Sequence, residues 1–166
     1  MGQNNITRIM EIFYEYPNRE FTIREISKLT NIPRATTHKT LLDLKKNRLI
    51  TDNNKAESSL LFKTKKINYF IQKIIESGLI NELTEKLNPS CIVLFGSIRK
   101  GDSVMESDID LFIETAVKKQ INLNKFEKKL KHPIQLFVES DINNLSKEML
   151  NNVINGIKIF GSFRIK

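Results

Sequence analysis

The apolar run Cys91-Ile92-Val93-Leu94-Phe95 stops at Gly96-Ser97, and after ten intervening residues Asp108 and Asp110 open a second apolar run over 109–113. Five consecutive apolar residues bounded by turn formers are too few for a helix and read as a buried strand; the second run reads the same way. The chain therefore goes strand, tight turn, loop, strand. Side chains at i and i+2 of a strand share a face about 6.6 Å apart, so Asp108 and Asp110 can converge on one hard cation. Mg²⁺ takes oxygen ligands, commonly one or two carboxylates completed by phosphate oxygens. Gly96 lets the backbone come close to a ligand, and the amides and hydroxyl around Ser97 suit a phosphate. Two parts of a phosphoryl-transfer site thus lie within fifteen residues of one another.

The flanking sequence supplies the rest of a small domain. Ile67, Phe70, Ile71, Ile74 and Ile75 form an amphipathic stripe that Gly78 interrupts, and Leu79, Ile80, Leu83 and Leu87 continue it up to Asn88-Pro89. That surface needs a partner, either within the chain or across a two-fold axis. Beyond the aspartates, Leu123, Phe126 and Leu130 mark a helix, Pro133 ends it, and 134–138 is a third strand. Ser140 or Asp141 is expected to cap a helix carrying Leu145, Met149, Leu150, Val153 and Ile154, with Gly156 ending it before a fourth strand at 157–160.

The Gly-Ser turn, the ten-residue spacing and Ser107-Asp108-Ile109-Asp110-Leu111 together resemble the DNA polymerase beta nucleotidyltransferase superfamily, in particular its minimal nucleotidyltransferase branch. The resemblance covers 67–166 and is sharpest over 94–111. It implies that Gly96 and Ser97 bind a triphosphate and that Asp108 and Asp110 are catalytic ligands of Mg²⁺ or Mn²⁺. The family often continues Gly-Ser-x-Ala-Arg-Gly. Here Lys100 stands in the arginine's place, keeping the charge without the bidentate fork. Active members commonly carry a third acidic residue on the next strand, where it can act as base for the attacking hydroxyl. The matching position here is Gln135, which cannot ionise, and Glu139 lies about 13 Å further along the strand.

Charge is unevenly distributed along the chain. The net charge is +8, and residues 1–66 hold 13 Lys and Arg against 7 Asp and Glu, which suggests a polyanion partner for that half. Ile6, Ile9, Met10 and Phe13 predict a helix closed by Pro17-Asn18, and Thr22 with Glu25 forms a capping box for a second. Pro33 suits the first turn of a third helix, which packs through Thr37, Leu41 and Leu44. Leu49-Ile50, a polar stretch, and Leu60-Leu61-Phe62 read as a hairpin. Three helices and a ribbon resemble a winged helix-turn-helix domain. Its DNA-facing residues would be Arg34, Ala35, Thr36, His38 and Lys39, with Lys55 at the ribbon tip and Lys63, Lys65 and Lys66 behind it.

The expected architecture is α+β: a winged helix-turn-helix over 1–66, then a small mixed-sheet nucleotidyltransferase domain over 67–166 whose connecting helices occupy 67–89. One cysteine, Cys91, leaves no internal disulfide and is expected to be a buried structural thiol. Neither histidine has the neighbours a zinc site needs. The stretch MGQNNITRIMEIFY lacks a long apolar core, and no segment approaches ~18 apolar residues, so a soluble cytoplasmic protein without a membrane partner is expected.

Two functions follow. One is an enzyme that transfers a nucleoside monophosphate from an NTP, with ATP favoured, to a hydroxyl on a small molecule or on a protein such as a cognate toxin. The other is a DNA-binding regulator or antitoxin-like protein whose nucleotidyltransferase domain senses nucleotide or is inactive. A homodimer is the default for either, since readers of this kind commonly use two half-sites.

Overall fold

The computed structural model describes residues 2–166. The chain divides into two compact units, Met1–Lys66 and Ile67–Lys166.

In the first unit α1 (Gly2–Glu15), α2 (Ile23–Thr30) and α3 (Arg34–Lys46) enclose a core that includes Ile9, Phe13, Ile26, Leu41 and Leu44. Phe13 and Phe21 meet edge to face at 5.8 Å. Thr22 caps α2 as the sequence predicts, its hydroxyl accepting from Glu25 N–H at 3.2 Å while the Glu25 carboxylate accepts from Thr22 N–H at 2.8 Å. Asn31 ends α2 in the left-handed region at φ 53°. The Ser27 hydroxyl then donates to Ile32 O at 2.6 Å, fixing the turn into α3.

The predicted hairpin is only partly present. Ile50 and Ala56 form an isolated antiparallel bridge around a turn closed by Thr51 N–H to Lys55 O at 2.8 Å. Leu60-Leu61-Phe62 is not a returning strand, because these residues open α4 (Leu60–Ser77). The Ser59 hydroxyl accepts from Phe62 N–H at 3.2 Å, an N-cap contact that favours helix, and Phe62 packs on Tyr14 with ring centres 5.4 Å apart. Lys66, expected near phosphates, is fully buried.

The second unit is a four-stranded sheet of order β3-β2-β1-β4, built from β1 (Cys91–Phe95), β2 (Ile109–Glu114), β3 (Ile134–Glu139) and β4 (Ile157–Gly161). β1 is antiparallel to both β2 and β4. β2 and β3 run parallel, which requires a crossover, and α7 (Asn124–Leu130) supplies it. Every residue of β1 is buried, as its unbroken apolar run requires of a central strand covered on both faces. On one face Cys91, Val93, Phe95 and Phe112 pack with Ile142 and Val153, joined by Phe137, Leu145 and Met149. On the other, Ile92, Leu94, Leu111 and Ile113 are equally closed to solvent. Burial, and then the nearby Glu114 charge, push the Cys91 thiol up to about 11.

Helix α5 (Leu79–Leu87) follows α4 after Gly78, and α6 (Gly96–Lys100) follows β1 directly. The helix expected from Ser140 or Asp141 starts later. Asp141 instead caps a short 3-10 turn, Ile142–Asn144, and the Ser146 hydroxyl caps α8 (Lys147–Ile154) by accepting from Met149 N–H at 3.3 Å. Among the described residues no helix is long and apolar enough to cross a membrane.

Candidate functional site

Sheet register builds the site. Phe95, the last residue of β1, pairs with Asp110, and Asp110 pairs in the parallel ladder with Gln135. Partners in a ladder present their side chains to the same face, and so do residues two apart on one strand. Asp110 and Gln135 therefore share a face with Phe95, Phe112 and Phe137. The rings of Phe95 and Phe137 meet edge to face at 5.3 Å, an apolar wall beside the carboxylates. Asp108 precedes β2 by one residue, and its carboxylate accepts a hydrogen bond from the Gln135 side-chain amide.

The turn after β1 closes over this corner. Gly96 has φ +71°, and a Cβ added there would lie 2.8 Å from Asp110 Cγ and still closer to the carboxylate oxygen. A side chain at 96 would occupy the space that Asp110 fills. From Gly96 the chain enters α6, where Ser97 and Lys100 are three residues apart and so lie on neighbouring positions of one helical face. Gly101 ends α6 at φ 73°. Lys100 is exposed, whereas Ser97 is half-buried.

Electrostatics distinguish the two aspartates. Burial, and secondarily the Asp108 charge, hold the Asp110 carboxyl above its ordinary value. A cation would relieve both effects by neutralising a desolvated carboxylate beside a like charge. No group of three His, Cys, Asp or Glu side chains among the described residues is arranged to hold a metal ion, so a cation here would rest on the Asp108/Asp110 pair. Gln135 stands beside that pair, while Glu139 pairs with Glu114 at the opposite end of the strands.

A family model for polymerase beta nucleotidyltransferases matches residues 72–163. The chain belongs to the polymerase beta nucleotidyltransferase family. The nucleotidyltransferase match takes in the whole sheet and every residue of the corner just described. Comparison with curated proteins gives no match, and comparison with solved structures gives none either.

Two contacts of the nucleotidyltransferase domain escape sequence reasoning. His132 is buried, and its Nδ1 lies 2.7 Å from Ser107 O, next to Asp108. Ile134 N–H, at the start of β3, donates to the Glu127 carboxylate at 3.0 Å. The first spans 25 residues of chain, and no local pattern announces it. The positions expected to face DNA belong to the first unit: Arg34, Ala35, Thr36, His38 and Lys39 are exposed on α3, opposite buried Thr37 and Leu41, and Lys55 is half-buried in the turn after Ile50.

Proposed function

We propose that the protein is a Mg²⁺-dependent nucleotidyltransferase that moves a nucleoside monophosphate from an NTP, with ATP favoured, to a hydroxyl acceptor. Its amino-terminal unit, in the same reading, is a winged helix-turn-helix that binds DNA. The observation that carries the enzyme reading is the closeness of Gly96 to Asp110, which leaves no space for a Cβ at the turn. That packing brings backbone without side-chain cover next to the desolvated Asp110 carboxylate. Asp108 and Asp110 would hold the cation, which when bound neutralises phosphate charge and favours departure of pyrophosphate. Ser97 offers a hydroxyl and a backbone amide to the triphosphate, and Lys100 adds positive charge on the same helical face.

Titration calorimetry with ATP, with and without Mg²⁺, tests the reading. We expect Asp108→Asn with Asp110→Asn to weaken Mg²⁺-dependent binding by about a hundredfold, roughly 1.4 kcal/mol for each charge removed. Unchanged binding in the double variant would defeat the assignment.

A second reading is favoured by one observation, the hydrogen bond from Gln135 to Asp108. An amide at this place can orient a carboxylate, but it cannot accept a proton from an attacking hydroxyl. The domain would then sense nucleotide within a DNA-binding regulator or antitoxin-like protein. A cognate toxin and a homodimeric state are compatible with either reading. The DNA component is tested by Arg34→Ala with Lys39→Ala. Binding should weaken across all sequences, and the slope of log affinity against log salt should fall by about 0.9 for each phosphate that is no longer neutralised. A retained slope would remove these residues from the interface.

A further inference from the structure

We infer that His132 is a positioning residue that sets the place of Asp108, an inference that rests on the nucleotide-binding reading of that carboxylate. Asp108 lies at the end of a long loop, one residue short of the ladder, so sheet pairing alone does not fix it. The turn between α7 and β3 does so from both sides. His132 Nδ1 is 2.7 Å from Ser107 O, and Ile109 N–H donates to Pro133 O at 2.8 Å. The residues before and after Asp108 are thereby tied to two consecutive residues of one turn. A carbonyl oxygen only accepts, so His132 must carry its hydrogen on Nδ1.

Both sides of this clamp are themselves held. Lys131, at φ 62°, donates its N–H to Glu127 O at 2.7 Å, and Ile134 N–H donates to the Glu127 carboxylate. Across the clamp, Ser107 closes a tight turn, with Val104 N–H donating to its hydroxyl at 2.9 Å and its own N–H donating to Val104 O at 2.9 Å. The His132 ring is 1% exposed and stands edge-on to Phe70 at 5.3 Å. A ring so enclosed is not a direct ligand of nucleotide, and its influence passes through the Ser107 carbonyl.

The test contrasts where a donor is placed. In His132→Asn the amide nitrogen falls near the position of Nδ1, whereas His132→Gln carries it one bond further and His132→Phe keeps a ring against Phe70 without any donor. Two readouts are taken on each full-length variant: calorimetric binding of Mg·ATP, and hydrogen exchange of the Val104 and Ile109 amides by NMR. Removing a group that orients a metal ligand typically costs about 10–100-fold in metal affinity, so a loss of about tenfold or more in Mg·ATP affinity is expected for Gln and Phe. His132→Asn should stay within about twofold of wild type, with both amides protected as before. His132→Phe keeps the experiment decisive if His132→Gln does not fold, and the reverse. Wild-type affinity and exchange in a donor-shifted variant would overturn the inference, as would an Asn variant as impaired as the others. If wild-type protein binds no Mg·ATP, the proposed function fails. Exchange then decides alone: acceleration in Gln or Phe but not Asn upholds the clamp, and equal rates overturn it.

Discussion

Gly96→Ala is expected to abolish Mg²⁺-dependent ATP binding and to lower stability by about 2–5 kcal/mol. Two costs add. The backbone at this position has φ +71°, where an L residue is strained by about 1–2 kcal/mol. The new methyl group would also fall within 2.8 Å of Asp110 Cγ, so either the turn or β2 has to move. Asp110 cannot yield easily, because its backbone is in register with Phe95 on one side and Gln135 on the other. Gly78→Ala is the control. Gly78 has φ +87° but nothing within 4 Å of the added Cβ, so it carries the strain without the collision. Urea denaturation and ATP calorimetry on both variants separate the two costs. Equal destabilisation, or ATP binding retained by the Gly96 variant, would show that the turn does not press on the carboxylate as described.

Gln135→Glu should act in the opposite direction on chemistry. Glutamate has nearly the same shape as glutamine, so β3 can keep its register, and the change adds a third carboxylate beside Asp108 and Asp110. If proton acceptance from the hydroxyl acceptor limits the rate, pyrophosphate release from ATP should rise by about 10²–10⁴-fold. The metal-free protein should meanwhile lose about 1 kcal/mol, because a hydrogen-bond donor to Asp108 becomes a like charge. Saturating Mg²⁺ should recover that loss, which a thermal melt with and without the ion would show. An unchanged rate together with an unchanged melt would mean that Gln135 is not beside the reacting groups. A stronger Mg²⁺ response at an unchanged rate would favour the regulatory reading, in which the site binds and does not turn over.

The corner of the sheet was legible because it is written locally. A run of five apolar residues, one glycine and two aspartates two apart follow the period of a strand, which locates β1 and β2 but does not say which strands pair. The Thr22 capping box was readable for the same reason, since its two partners lie three residues apart. Competition between local signals defeated other expectations. Leu60-Leu61-Phe62 has an apolar pattern that suits a short strand, but the Ser59 cap and the apolar stripe that follows draw it into α4. Ser140 and Asp141 have capping chemistry, yet Asp141 spends it on a 3-10 turn and Ser146 caps the helix. The His132 contact depends on chain segments 25 residues apart, and no periodicity carries that information.

The position of β4 has a consequence for how the protein must be made. β1 is buried throughout and bonded on both sides, to β2 soon after it in sequence and to β4 only near the end of the described chain. During synthesis the most apolar strand of the sheet can therefore acquire its first neighbour early but waits for its second until 157–161 has emerged. Until then one side of Cys91–Phe95 is an open, uncharged strand edge, the kind that recruits a strand from another molecule. Besides completing the sheet, β4 is the guard that ends this exposure, and a ribosome stalled shortly before it would leave a nascent chain primed to aggregate.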